Sequence, residues 1–290
     1  MQSEQLLPIR EVARLTGVNP VTLRAWERRH GLLSPHRTAK GHRLYALDQV
    51  ERVRDILHWL ARGASVGQVR ELLERKPSVA PQGDWEMRCQ QLTDAITQLS
   101  SRALDQHFNQ VMALYPAITL CEHLLVPLLA QLTERWRHQF NARLEQVFFF
   151  TWLRSKLGTR VYHDNQSLEG APVLIVQEET ASFCADAWLC AWLLSSSGQP
   201  VVVLDQPIGL GQLRPAIVQL RPTAVVLCVG AQFERATLLK ALHESPIPIL
   251  LGGLAASIHE SELLALDLPA LHLFSSAHEA LRQFQRLRAA

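Results

Sequence analysis

The sequence predicts a multidomain α and α/β chain, with helices alone in its first half and strands alternating with helices after Gly170. Three observations point there. Helical periodicity rich in basic residues occupies the first 75 positions, and a second helical stretch runs from Trp85 to about Leu157. Five short β-branched or Leu-rich runs follow, separated by helical stretches of ten to fifteen residues. At 290 residues and 48% apolar side chains, the chain can bury more than one core.

Ile9, Val12, Ala13 and Leu15 give a short first helix, ended by Gly17 and Val18. Asn19 and Pro20 open the second, over 20–30, as an N-cap followed by proline at the first helical position. Val50, Val53, Ile56, Leu57 and Leu60 mark a third helix stopped by Gly63, with Trp59 and Leu60 on its core stripe. Ser65 caps a fourth, whose inner face carries Val66, Val69, Leu72 and Leu73. KPSVAPQGD, residues 76–84, breaks the pattern and reads as a linker. Helices over 85–98, 102–113, 118–136 and 142–158 then suggest a bundle, placed at 85–160. From 170 to 290, the runs Pro172–Gln177, Val201–Asp205, Thr223–Val229, Ile247–Gly252 and Ala270–Phe274 predict a parallel five-stranded sheet of Rossmann-like (flavodoxin-like) type.

The net charge of +2 hides an asymmetry. Up to Pro77 there are fourteen Lys/Arg against eight Asp/Glu, a net of +6; the remainder carries −4. An anionic partner at the N-terminal end follows. Arg24, Arg28 and Arg29 lie on the second helix around Trp26, and a basic hairpin with Arg37, Lys40, His42 and Arg43 surrounds Gly41. A basic helix beside a basic hairpin offers two adjacent contacts for a phosphate backbone. The five cysteines (Cys89, Cys121, Cys184, Cys190, Cys228) lack CxxC spacing, which predicts thiols in a reducing cytoplasm. Cys184 and Cys190 are wrongly spaced for one helical face and Cys228 sits on another element. Isolated buried thiols are therefore expected, and no metal site. The histidines form no HxxH or HxxxH pair, and GLGQ at 209–212 lacks what a phosphate loop requires. Neither a signal segment nor a membrane span is expected.

The stretches PIREVARLTGVNPVTLRAWERRHGLL, RTAKGHRLY and VERVRDILHWLARGASVGQVRELL make residues 1–75 resemble a MerR-type winged helix-turn-helix domain. That resemblance implies a cytoplasmic bacterial transcription regulator. It would bind a palindromic promoter element as a homodimer or higher homo-oligomer, acting on RNA polymerase indirectly and using DNA distortion. Helix 20–30 would enter the major groove and 37–45 would form the wing. Arg24, Arg28, Arg37 and Arg43 are the leading DNA contacts, with Thr22, Arg29, His42 and Tyr45 beside them. Trp26 either packs in the head's core or lies against the sugar-phosphate edge.

The bundle followed by a five-stranded α/β module resembles cobalamin-binding regulators and corrinoid modules. In that family a Glu-x-His-x-x-Gly pattern after the first strand ligates cobalt. A serine ends the third strand, Gly-Gly follows the fourth, and a Trp and a Glu-His pair lie on the bundle. Here those positions fall on Ala181, Phe183 and Asp186, on Cys228, on Gly252 and Gly253, and on Trp136 with Gln146 and Val147. A one-residue gap would shift the last pair to Glu145 and Gln146. Phenylalanine has no lone pair for a metal, so cobalamin is expected not to bind and no cofactor is expected. Phe183, Trp188, Trp192, Phe148–Phe150 and Trp152 would either fill the space or line a pocket for another small molecule.

The expected function is DNA-binding regulation, with no enzymatic activity and no membrane partner. A regulator of surface behaviour such as biofilm formation fits the resemblance. The alternatives are a regulator whose C-terminal domain docks a signalling protein and, with less support, a corrinoid-dependent methyltransferase-type module.

Overall fold

The computed structural model describes residues 6–38, 40–61, 64–74, 85–140, 142–178, 184–230 and 235–289. Packing divides the chain into two units, Met1–Phe149 and Phe150–Ala290. The boundary falls inside one long helix rather than in a loop.

The first unit opens with a short strand β1 (Leu7–Pro8) and helices α1 (Ile9–Thr16) and α2 (Pro20–His30). Strands β2 (His36–Arg37) and β3 (Arg43–Tyr45) complete a three-stranded antiparallel sheet of order β1-β3-β2. Helices α3 (Leu47–Ala61) and α4 (Val66–Glu74) follow. Gly17, at φ 71°, ends α1 in the left-handed conformation, its N–H bonded to Ala13 O at 2.8 Å. Gln68 Oε1 reaches back to the Ser65 N–H at 2.9 Å, as in a capping box, and fixes the start of α4. Trp59 and Leu60 are buried. The expected stop at Gly63 and the linker 76–84 lie outside the described residues.

The bundle is built from α5 (Trp85–Thr97), α6 (Ser101–Met112), α7 (Ala117–Leu120), α8 (Val126–Arg137) and α9 (Ala142–Asn165). A π-helical turn, Cys121–Leu125, joins α7 to α8. The reading of 118–136 as one helix therefore holds an irregularity. Pro127 supplies the reason, because it has no N–H for the carbonyl four residues earlier. Helix α9 runs past 158 to Asn165, with Gly158 inside it.

In the second unit all five expected strands form: β4 (Val173–Glu178), β5 (Val201–Ile208), β6 (Ala224–Cys228), β7 (Ile249–Gly252) and β8 (Leu271–Leu273). They make one parallel sheet of order β5-β4-β6-β7-β8. The unit's first strand, β4, lies between β5 and β6, so the order reverses between β4 and β6; open α/β sheets place ligands at such a switch point. Helix α10 (Ala185–Ser196) is buried from Ala187 to Ser195, apolar almost all round. Helices α11 (Leu213–Leu220), α12 (Arg235–His243), α13 (Leu254–Ile258), α14 (Glu260–Leu264) and α15 (Ala277–Ala289) complete the unit. Leu174, Val176, Leu213, Ile217, Val225, Leu227, Leu238 and Leu251 belong to one apolar core cluster. Every residue of β4 is buried, as a strand covered on both faces requires. Among the described residues no helix is long and apolar enough to cross a membrane.

Candidate functional site

Helix α2 is fixed at both ends by local chemistry. Asn19 Oδ1 accepts the Val21 N–H at 2.8 Å, and Gly31, at φ 60°, returns its N–H to Glu27 O at 3.2 Å. Its inner face buries Thr22, Leu23, Ala25 and Trp26, while Arg24, Arg28 and Arg29 are exposed. Arg24 and Arg28, four residues apart, share one face of the helix. The β2–β3 hairpin turns through Gly41 at φ 81°, with Thr38 N–H bonded to His42 O at 2.9 Å. It exposes Arg37, Lys40 and His42.

Sequence alone did not single out Glu27. Its carboxylate accepts from Arg37 Nη2 at 2.8 Å and also pairs with Arg43 Nε. Both wing arginines are thereby fastened to α2, and Arg43 keeps only 18% of its side chain exposed. An acidic residue in an otherwise basic helix was the available signal.

Three expected DNA contacts are corrected by burial. Trp26 is fully buried and its Nε1–H donates to Leu114 O at 2.6 Å, which settles its alternatives in favour of the core. Tyr45 is fully buried beneath the wing, where burial raises its phenol pKa. Thr22 is 3% exposed. These side chains shape the head and present no surface to a ligand. Tyr115 Oη accepts the Val66 N–H at 3.2 Å, so the turn after α6 contacts both α2 and α4.

At the bundle positions that the resemblance assigns to a cofactor site, Trp136 and Glu145 are buried. Trp136 Nε1–H donates to Glu145 Oε2 at 3.1 Å; Glu145 also accepts from Gln139 at 2.9 Å and Arg135 at 3.2 Å. The buried Glu145 carboxylate is thus spent inside the bundle, while Val147 is exposed and Gln146 half-buried. Ala181 and Phe183 lie outside the described residues. Asp186 sits in the first turn of α10, where burial raises its carboxyl pKa.

The glycine pair is enclosed by protein. A Cβ on Gly252 would lie 2.2 Å from Phe274 Cζ, and one on Gly253, at φ 99°, would lie 2.3 Å from Val229 O. The ring of Phe274 therefore occupies the space that the missing Gly252 side chain opens. No histidine stands between His163 and His243, so the chain from β4 to β6 offers no imidazole. Among the described residues no group of three His, Cys, Asp or Glu is placed to hold a metal ion.

The aromatics of α10 are structural. Trp188 and Trp192 are buried, and Trp188 packs on Gly158 of α9, 3.4 Å from where a Cβ would stand. All five cysteines are free thiols; Cys89, Cys121, Cys190 and Cys228 are buried and Cys184 is half-buried.

Known proteins resemble both parts of the chain. Residues 7–76 match the model of the MerR HTH family regulatory proteins. The HTH-type transcriptional regulator MlrA of Escherichia coli K12 is 33% identical over 229 residues, covering 77% of this chain and 88% of the relative. The HTH-type transcriptional repressor CarH of Myxococcus xanthus is 26% identical over 298 residues, covering 96% and 97%. Among solved structures, the methanol:cobalamin methyltransferase complex MtaBC of Methanosarcina barkeri aligns at TM-score 0.37 and 12% identity, covering 76% of this chain and 89% of that one. The chain belongs to the MerR family of helix-turn-helix transcriptional regulators.

Proposed function

We propose that this regulator binds a two-fold-symmetric promoter element as a homodimer, with α2 in the major groove and the β2–β3 wing along the adjacent backbone. The observation that carries the reading is the exposed row Arg24, Arg28 and Arg29 on a doubly capped helix, beside a wing clamped to it through Glu27. Arg24 and Arg28 supply contacts at the groove floor. Arg37, Lys40 and His42 supply contacts to phosphate, which fix register rather than sequence. Arg43 acts mainly by holding the wing.

The C-terminal region serves assembly or signal reception without cobalamin. Its residues do not fit that group: the segment from β4 to β6 has no imidazole, and Phe274 covers Gly252. The contact of the turn after α6 with α2 and α4 supports a route by which the bundle influences the head. The test is fluorescence anisotropy of the full chain on its own promoter and on random DNA across a salt series. Sequence-selective binding with a two-fold footprint supports the reading, and equal affinity for both DNAs overturns it. Incubation with adenosylcobalamin followed by gel filtration tests the second half. Stoichiometric co-elution of red colour with the protein would refute it.

A further inference from the structure

One turn of the bundle grips two helices of the head. Leu114 and Tyr115 are adjacent residues between α6 and α7. The Leu114 carbonyl accepts the Nε1–H of Trp26, on the inner face of α2, at 2.6 Å. Tyr115 Oη accepts the N–H of Val66, the first residue of α4, at 3.2 Å. That N–H is one of the donors a helix start leaves without an intrahelical partner, and the bundle supplies the acceptor. Trp26, Val66 and Tyr115 are all buried, so water offers no ready substitute for either bond. Helices α2 and α4 also pack on each other, with Arg70 Nη1 3.7 Å from where a Gly31 Cβ would stand.

The turn is itself held on the bundle side. The Tyr115 ring lies 4.6 Å from the Trp85 ring, centroid to centroid, and the Arg88 guanidinium stands 5.9 Å from the Tyr115 centroid. His123, inside the π-helical turn, stacks on Trp85 at 5.7 Å and 18°. Pro116 fixes the backbone directly after Tyr115. The basic row of α2 is untouched by this grip: Arg24, Arg28 and Arg29 stay exposed.

We propose that Tyr115 is a positioning residue for DNA recognition. With Leu114 it fixes the angle of α2 on the bundle, and so sets the half-site spacing that the homodimer accepts. This rests on the reading of α2 as the groove helix and of the C-terminal region as the part that assembles the dimer. A head held at two points cannot swing toward a displaced half-site without breaking a buried hydrogen bond. Each base pair inserted between half-sites moves the second one by about 3.4 Å and turns it by roughly 34°. A firmly seated head meets that displacement as lost contacts, and a loosened head follows it.

The test uses the full chain in anisotropy titrations on the promoter, on the promoter with two base pairs inserted between its half-sites, and on one half-site alone. Wild type should lose about tenfold or more on the inserted duplex. Tyr115→Phe keeps the ring and removes only the acceptor. It should bind the promoter about tenfold more weakly, the worth of one buried hydrogen bond, and the half-site as wild type does, with an insertion penalty below about threefold. Trp26→Phe, which removes the other donor, should shrink the penalty likewise. Amide exchange at Val66, followed by NMR, should quicken in Tyr115→Phe and not in Trp26→Phe. Equal insertion penalties in Tyr115→Phe and wild type, equal losses on half-site and promoter, or unchanged Val66 exchange overturn the proposal. Wild-type indifference to the insertion overturns it whether or not a variant folds. A wild-type chain that does not tell promoter from random DNA overturns the two-fold reading and the positioning role with it. A selective wild type with an unmoved Tyr115→Phe overturns the positioning role alone.

Discussion

In the head, Arg24, Arg28 and Arg29 stand exposed along α2 while Glu27, on the same helix, holds Arg37 and Arg43 in place. In the α/β unit, Gln177, Glu178, Cys228 and Gly252 at the ends of β4, β6 and β7 are all buried. One region keeps its charged groups at the surface and the other buries its polar groups. In the latter, the ring of Phe274 occupies the position that Gly252 leaves open.

The largest expected effect would break the second half of that contrast. Gly253→Ala places a Cβ 2.3 Å from a backbone carbonyl at a φ that only glycine adopts easily, and should destabilise the unit by about 3 kcal/mol or more. Gly252→Ala meets the buried Phe274 ring instead and should cost roughly 1–3 kcal/mol. Adding Phe274→Leu should return part of the Gly252→Ala loss, because the obstruction is a side chain. Urea unfolding of the full chain measures both. A Gly252→Ala protein as stable as wild type would show that the space beside the strand is open.

A similar magnitude applies to the head, read on DNA rather than on stability. Arg28→Ala should weaken promoter binding by about 1–3 kcal/mol if the side chain reads a base edge. A contact to phosphate alone would instead weaken promoter and random DNA alike and lower the salt slope by about one. Anisotropy titrations at several salt concentrations separate these outcomes, and no change on either DNA would remove Arg28 from the interface.

What the sequence made legible was local. Asn19-Pro20 and Gly31 bracket α2 within a dozen positions, and the five apolar runs announce the strands because strands inside a parallel sheet are covered on both faces and must be largely apolar. Pairings between distant positions were not legible. Glu27 meets Arg37 and Arg43 only once the hairpin folds back, and the Cys184 N–H meets Gln177 Oε1 only once the start of α10 returns to the end of β4. Trp26 and Tyr45 mislead for a related reason, since large aromatics beside arginines suit either a core or a DNA backbone, and packing decides.

Glu27→Gln sharpens the head's side of the comparison at smaller scale. It keeps the side-chain shape but removes the charge that holds two arginines, so the wing should loosen and the head lose about 1 kcal/mol, discounted because Arg37 is half exposed. Promoter affinity should fall while affinity for random DNA holds or rises, since two cations are released to phosphate. Parallel losses on both DNAs would mean that the acid does not position the wing.

The smallest effect concerns a glycine in the middle of a helix. Gly158 lies inside α9, where glycine costs about 1 kcal/mol relative to alanine. A Cβ there would approach the Trp188 ring at 3.4 Å, the close edge of ordinary van der Waals contact. The two terms oppose each other, and the helical gain is the larger because the ring needs to yield very little. Gly158→Ala should therefore raise the unfolding free energy by about 0.5 kcal/mol. Gly158→Val, which adds bulk and β-branching against the same ring, should lower it. If both variants destabilise equally, Trp188 is packed without slack, and the α/β unit closes on its aromatic side chains as tightly at α10 as it does at Gly252.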